Sequence, residues 1–159
     1  MTVRVYIPAT LGALAQFVEE GGIGPSPVHA HAVTEWLLES WPDADEEELA
    51  YAVLMAAADD SAAALIAARS TTEAPAEKGA GNQGENQAGE YRLRRVVLVA
   101  EVPQVTEDRE STAVSVDAAI AMRLVEAVHA DTTDFDPSSP ETLGDLGWFA
   151  VQEIADLLA

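Results

Sequence analysis

The sequence has no cysteine, few basic residues and no long apolar run. Without cysteine, the chain cannot form disulfides, carry out thiol chemistry or hold cysteine-ligated zinc or iron–sulfur centres. No apolar run approaches the roughly 18 residues that a membrane helix needs, and the first residues lack the apolar segment typical of a secretion signal. We therefore expect a cytoplasmic protein that does not bind membranes.

The charge balance excludes a further class of partner. Eight lysines and arginines stand against 28 aspartates and glutamates, which gives a formal net charge of −20. Proteins that bind DNA or RNA usually carry a basic stripe that neutralises phosphates, whereas an acidic surface repels a polyanion. We therefore expect no nucleic-acid binding. The acidic residues either favour a basic partner or serve only to keep the surface solvated.

Length and composition are typical of one domain. The 159 residues are 48% hydrophobic and 23% charged, which is enough apolar material for a core. Residues 70–90 differ because they contain no large apolar side chain, and we expect a disordered insertion there within a single domain over residues 1–159. The insertion contains Gly79–Gly84, which matches the dinucleotide-binding pattern GxGxxG. The pattern needs a strand before it and a helix after it, and the sequence predicts neither, so we expect no cofactor.

Hydrophobic periodicity predicts both strands and helices. Alternating apolar residues at 3–7 predict a first strand, and helical spacing after Thr10 predicts a helix that ends at Gly21. Further strands are predicted near residues 28–33, 91–102, 113–118 and 124–130, and further helices near 35–40 and 45–69. The tail 146–159 is either a strand at 148–151 followed by a helix at 154–158, which we prefer, or helical throughout. Because regular strand–helix alternation is missing, we predict an α+β fold. It has two layers, with a mixed or antiparallel sheet and helices packed mainly on one face.

Most of the chain outside the insertion resembles a known family. The resemblance rests on Val3–Leu11, Ala32–Thr34, Asp45–Leu49, Arg94–Val97 and Trp148–Ile154. These segments are similar to those of a small actinobacterial family of acidic proteins with no known function. The resemblance implies a bacterial cytoplasmic protein and brings no active-site residue with it. The chain departs from the family pattern at Ala155, where proline is usual, and at His31, where an aromatic residue is usual.

Two pairs of side chains are candidate ligands for a divalent metal ion. His29 and His31 lie two residues apart on one predicted strand and therefore share a face, and His129 and Asp131 do so on another. Neutral imidazoles and a carboxylate are suitable ligands for divalent metals. The alternative is that these histidines lie on a solvated or half-buried sheet face. The departure at His31 argues against a metal site shared by the whole family.

The few basic and aromatic residues supply the remaining candidates. Arg92, Arg94 and Arg95 cluster at the start of an apolar strand, where they predict either an anion site or ion pairs with the surplus acids. Four aromatic residues either anchor a partner protein or close the core. They are Trp36, Trp41, Trp148 and Phe149.

Two functional hypotheses follow from these observations. The first is a non-catalytic protein-interaction or regulatory domain, because the sequence shows no convergent catalytic set. The second is a small-ligand or metal-binding protein, or a minor enzyme, with a site on the sheet face. This second site would use His29, His31, His129 and Arg94, and it requires that these side chains converge in space.

Overall fold

The structure is a computed structural model that describes residues 2–73, 93–133 and 146–158. In chain order the elements are β1 (Val3–Ala9), α1 (Leu11–Glu20), β2 (Gly22–Ile23), β3 (Val28–His31), α2 (Glu35–Ser40), α3 (Glu46–Glu73), β4 (Val96–Val102), β5 (Thr106–Glu107), β6 (Ala113–Val116), β7 (Ile120–Ala121), β8 (Val125–Ala130), β9 (Gly147–Ala150) and α4 (Ile154–Leu158). The insertion expected at 70–90 lies mostly outside the described residues, as does the Gly79–Gly84 motif. Helix α3 extends to Glu73 rather than ending near residue 69.

Seven strands form one antiparallel sheet. Their order across the sheet is β5-β6-β3-β1-β4-β8-β9, and β2 and β7 pair separately as a small second sheet. The central pair, β1 with β4, is in register from Val3 opposite Val102 to Ala9 opposite Val96. The α+β class and the antiparallel sheet predicted from the sequence are confirmed.

Both faces of the sheet are covered. On one face, which we call the α3 face, α2 and α3 pack Leu37, Leu49 and Val53 against Tyr6 and other sheet residues. On the other face, α1, α4 and the small sheet cover the alternate residues of the strands, among them Val5, Ile7 and Leu98. Most helical residues lie on the α3 face, in keeping with the prediction, but the opposite face is also covered. The reason is that the central strands carry apolar side chains on both faces.

Local sequence explains where the helices begin and end. The Thr10 hydroxyl accepts a hydrogen bond from the backbone N–H of Ala13 and so caps α1. Gly21 ends α1 with a φ of 79°, a left-handed conformation that glycine adopts without strain. Asp45 and Glu48 form reciprocal side-chain to backbone hydrogen bonds at the start of α3, of 2.8 and 3.0 Å.

Helix α3 packs along the central strands and contains many alanines. Residues Glu46–Ala67 are long and apolar enough to cross a membrane by length and composition alone, a test that the core helix of a soluble protein also passes. Here α3 lies across β1, β4 and β3, with Val53, Ala57 and Ala58 fully buried against the sheet. The small alanine side chains allow this close approach of helix and sheet.

Ser61 attaches α3 to the ends of the two central strands. Its hydroxyl donates to the backbone oxygen of Ala9 at 2.6 Å and accepts from the backbone N–H of Val96 at 2.9 Å. Ser61 is fully buried, so these two groups have no access to solvent. The hydroxyl therefore fixes the position of the middle of α3 relative to β1 and β4.

We predict that Ser61→Ala lowers the free energy of unfolding by about 2–3 kcal/mol, because it leaves a buried donor and a buried acceptor without a partner. Chemical denaturation monitored by circular dichroism measures this change. The matched control is Ser40→Ala at the exposed end of α2, which we expect to change the stability by less than about 0.5 kcal/mol. Equal effects of the two variants would contradict the role assigned to Ser61.

A second buried contact joins β4 to the end of β8. The carboxylate of Asp131 receives hydrogen bonds from the side chain of Arg95, at 2.7 Å from Nη2 and 3.0 Å from Nε, and from the Arg95 backbone N–H at 2.8 Å. Both residues are buried. Breaking such a pair leaves an uncompensated buried charge, so the contact fixes how these two strand ends meet.

The outer strands β8 and β9 place His129 on the α3 face. His129 lies between Val97 on β4 and Trp148 on β9 in the strand register. Burial lowers the pKa of His129 from its ordinary value of 6.5, since the charged imidazolium loses hydration there. The neutral form is therefore the form that the folded state favours.

We predict that His129 titrates below pH 6.5 in the folded protein. The stability that this residue contributes is complete above about pH 6.5 and decreases as the pH falls from there through the lowered pKa, because the unfolded chain then binds the proton first. An NMR pH titration of the histidine ring protons, assigned with His129→Gln, measures the pKa. A value at or above 6.5 would contradict the burial of this side chain.

Candidate metal centre

Strand β3 presents two histidines on the α3 face. His29 and His31 alternate with Ala30, which is buried on the opposite face. In the strand register His31 lies opposite Tyr6 on β1, and His29 lies opposite Ser115 on β6. The predicted sharing of a face by the two histidines is what the structure shows.

Helix α3 brings a carboxylate to these histidines. Asp60 precedes Ser61, whose hydrogen bonds to the ends of β1 and β4 fix this turn of the helix. Successive helix residues point about 100° apart, so Ser61 faces the central strands while Asp60 faces β3. The position of Asp60 therefore follows from the anchoring of α3.

The three side chains converge on one point. One oxygen of Asp60, Oδ2, lies 2.9 Å from Nε2 of His29 and 2.6 Å from Nε2 of His31. One potential ligand atom from each residue lies within 4.8 Å of the other two. The two rings meet edge to face, with centroids 5.1 Å apart, so both Nε2 atoms can point at a common position.

Thr112 orients the more buried of the two histidines. Its hydroxyl lies 2.8 Å from Nδ1 of His31, and its backbone oxygen accepts from the N–H of Ala32 at 3.0 Å. A hydrogen bond at Nδ1 leaves Nε2 for a second interaction and fixes the ring plane. Outer partners of this kind are typical of histidines that bind metals.

Burial differs sharply among the three residues. The His31 side chain is 10% exposed, whereas those of Asp60 and His29 are 43% and 57% exposed. Partial burial alone would raise the pKa of Asp60, but hydrogen bonds from His31 and His29 outweigh it and the pKa is lowered. Asp60 is therefore ionised at neutral pH, and the cluster is open to solvent on the side of His29.

The donor set suits a particular class of ion. Two imidazoles and one carboxylate favour zinc, iron, cobalt or nickel over calcium and magnesium, which prefer oxygen ligands. In a tetrahedral site with metal bonds of about 2.0–2.1 Å, neighbouring ligand atoms lie about 3.3 Å apart. To admit an ion, the Asp60 oxygen would therefore have to withdraw by roughly 0.4–0.7 Å, and the two imidazole nitrogens, which lie within 4.8 Å of each other, would have to settle at that same spacing. The Asp60 side chain is partly exposed on a helix surface and has room for this adjustment.

The four predicted metal ligands do not form one group. Strands β1 and β4 separate β3 from β8, so His129 lies three strand spacings, or about 14 Å, from the row of His29 and His31. Asp131 is held by Arg95 instead. The sequence pattern identified which residues share a face of one strand, but it contained no information on the strand order.

The remaining predicted site residues are dispersed. Arg92 lies outside the described residues, Arg95 is buried against Asp131, and Arg94 is partly buried and has an interaction partner. Phe149 packs against the core on the face opposite α3. Arg94 lies two residues before the start of β4.

The tryptophans lie at the surface. Trp36 and Trp41, on and just after α2, are 39% and 41% exposed, and Trp148 on β9 is 63% exposed. Trp148 and Phe149 point to opposite faces of β9, as alternation along a strand requires. The three exposed rings are available for contact with another molecule.

Sequence reasoning missed two residues of the cluster, Asp60 and Thr112. A signal for Asp60 was present, because Asp59–Ser61 interrupts an otherwise apolar stripe of α3 that includes Val53, Ala57 and Leu65. Polar residues in such a stripe require a partner on the element that the helix covers. Thr112 gave no signal, since its contact depends on the pairing of β3 with β6.

Comparison with known proteins identifies the family of this chain. The model of a family of unknown function, DUF6912, matches residues 3–158. No curated protein and no solved structure matches the chain at a significant level. The match covers nearly the whole chain, including β3, α3 and the hairpin that carries Thr112. The chain therefore belongs to the DUF6912 family, a family of unknown function.

Proposed function

We propose that this protein binds a divalent transition-metal ion through His29, His31 and Asp60. The observation that carries the proposal is the convergence of both Nε2 atoms on Oδ2 of Asp60, at 2.9 and 2.6 Å. Two elements remote in sequence supply these atoms, and Ser61 and Thr112 hold those elements in position. A site of this kind fits the bacterial cytoplasmic setting that we propose from the resemblance.

The chemistry of each group supports metal binding. Asp60 is ionised at neutral pH, so it brings a negative charge to the ion. Metal binding uses the neutral tautomer of His31 in which Nδ1–H donates to the Thr112 hydroxyl, because this tautomer leaves the lone pair of Nε2 for coordination in place of the hydrogen bond to Asp60. Three protein ligands leave at least one coordination position for water or another ligand, as in catalytic rather than structural zinc sites.

The competing interpretation is that the cluster is a contact between α3 and β3 without a metal. In that case Nε2–H groups of both imidazoles donate to the Asp60 carboxylate, and the contact only stabilises helix packing. The two interpretations differ in one measurable property. A metal site gains stability when a suitable ion is added, whereas hydrogen-bonded side chains do not.

We predict that zinc, cobalt, nickel or manganese at 1 mM raises the melting temperature. For a dissociation constant of about 10 μM, saturation at 1 mM adds about 2.7 kcal/mol to the stability. For a domain of this size that gain corresponds to roughly 5–10 °C. Calcium and magnesium should give smaller shifts because imidazole is a poor ligand for them. Differential scanning calorimetry of protein freed of metal by a chelator measures the shifts.

Variants of two proposed ligands, with a histidine outside the cluster as the control, locate the binding site. His29→Ala and Asp60→Asn should abolish the metal-induced shift, because each removes a ligand from a partly exposed position. His129→Gln should retain the shift, since His129 lies on β8 away from the cluster. A wild-type protein with no shift for any of the four transition metals would contradict the proposal. An undiminished shift in His29→Ala would also contradict it.

A second candidate function is a non-catalytic protein interaction. It is supported by the exposure of Trp36, Trp41 and Trp148, since large aromatic residues at a surface are common anchors of protein interfaces. The net charge of −20 favours a basic partner. This candidate does not compete with metal binding, because the tryptophans lie outside the histidine cluster.

Affinity purification at low salt, followed by quantitative mass spectrometry, tests the interaction. We predict a stoichiometric protein partner that Trp36→Ala or Trp41→Ala releases, and Trp148→Ala distinguishes the β9 edge from the α2 surface. Retention that none of the three variants reduces would contradict aromatic anchoring.

A further inference from the structure

The strands next to His29 continue the cluster as a polar surface on the α3 face. Ser115 on β6 lies directly opposite His29, and Thr106 on β5 lies directly opposite Ser115. Residues opposite each other in antiparallel strands share a face and lie about 5 Å apart at their Cβ atoms. The three side chains therefore form one row that leads from the metal ligands to the edge of the sheet.

The helix that covers the sheet stops short of this row. Helix α3 packs against β1, β4 and β3. Ser115 is partly exposed and Thr106 is exposed, so both side chains are accessible to solvent. Among the residues that the structure describes, neither hydroxyl forms a hydrogen bond, so both are available to a ligand.

The three metal ligands are most exposed to solvent at His29, the ligand next to β6. His31 is nearly buried between β1 and α3, whereas the His29 side chain is 57% exposed. His29, the more exposed of the two histidines, lies opposite β6 in the strand register, so β6 borders the exposed side of the cluster. On α3 the residues one turn before and after Asp60 are Ala56 and Ala64, which cannot reach the ion.

We propose that the bound metal takes a small monocarboxylate as its further ligand, with the hydroxyls of Ser115 and Thr106 as hydrogen-bond donors to it. This inference rests on the metal binding proposed above. One carboxylate oxygen completes the coordination of the metal, and the other accepts a hydrogen bond from the Ser115 hydroxyl. Thr106 interacts with the part of the ligand nearest the sheet edge.

Charge selects a monocarboxylate over a phosphate. A divalent ion with one protein carboxylate and two neutral imidazoles has a net charge of +1, which one carboxylate neutralises. The row contains hydroxyls but no arginine or lysine, and phosphate sites usually contain such groups. The net charge of −20 further disfavours a polyanion. A small monoanion is the ligand that best fits these conditions.

Cobalt is the probe for the test, because its visible absorption bands report the ligands around it. The full chain is saturated with cobalt(II) and titrated with acetate at constant ionic strength. We expect a saturable change in the visible spectrum. In cobalt-saturated Ser115→Ala the acetate dissociation constant should rise about five- to tenfold, as expected for one lost hydrogen bond to a charged ligand. Ser40→Ala is the control, because Ser40 lies at the end of α2 and outside the row of hydroxyls. This variant should bind acetate like the wild type.

The outcomes separate this inference from the proposed function. If cobalt does not bind, both fail. If cobalt binds but acetate leaves its spectrum unchanged, metal binding stands and the carboxylate ligand is wrong. Equal acetate affinity in Ser115→Ala and wild type would overturn the location of the ligand over β6. Binding of inorganic phosphate as tight as that of acetate would overturn the selection for a monocarboxylate.

Discussion

The position of helix α3 on the sheet is the constraint on which the candidate site depends. A single buried hydroxyl, that of Ser61, joins the helix to Ala9 at the end of β1 and to Val96 at the start of β4. The next residue toward the N-terminus is Asp60, so the bridge also determines which strand this carboxylate reaches. The alanines around it let the helix approach closely enough for the carboxylate to contact both histidines of β3.

The sequence contained enough information for the longer elements, but not for the two-residue strands β2, β5 and β7 or for the arrangement of the strands in the sheet. Alternation over residues 3–7, the caps at Thr10 and Asp45, and the apolar run at the start of β4 each have a local physical cause, and the structure has elements there. Strand order has no local cause. For this reason the pairing of His29 with His31 was predictable, whereas their separation from His129 was not.

The same distinction explains the two residues that sequence reasoning missed and the second predicted ligand that it misplaced, Asp131. Asp60 belongs to the site because α3 crosses β3, and Thr112 belongs to it because the turn before β6 closes against β3. Asp131 directly follows β8 and was predicted to bind a metal together with His129. Its carboxylate instead forms an ion pair with Arg95 and compensates that buried charge. In a chain with 28 acids, only the fold distinguishes a carboxylate that is a candidate ligand from one that holds two strands together.

The central claim is that His29, His31 and Asp60 together hold a metal ion, and the most direct test is the coordination shell itself. X-ray absorption spectroscopy on the zinc- or cobalt-loaded protein reports the number of imidazoles bound to the ion. Our account predicts two imidazole nitrogens at about 2.0–2.1 Å together with oxygen ligands. A shell of oxygen atoms alone, or one with a single imidazole in the wild type, would contradict it.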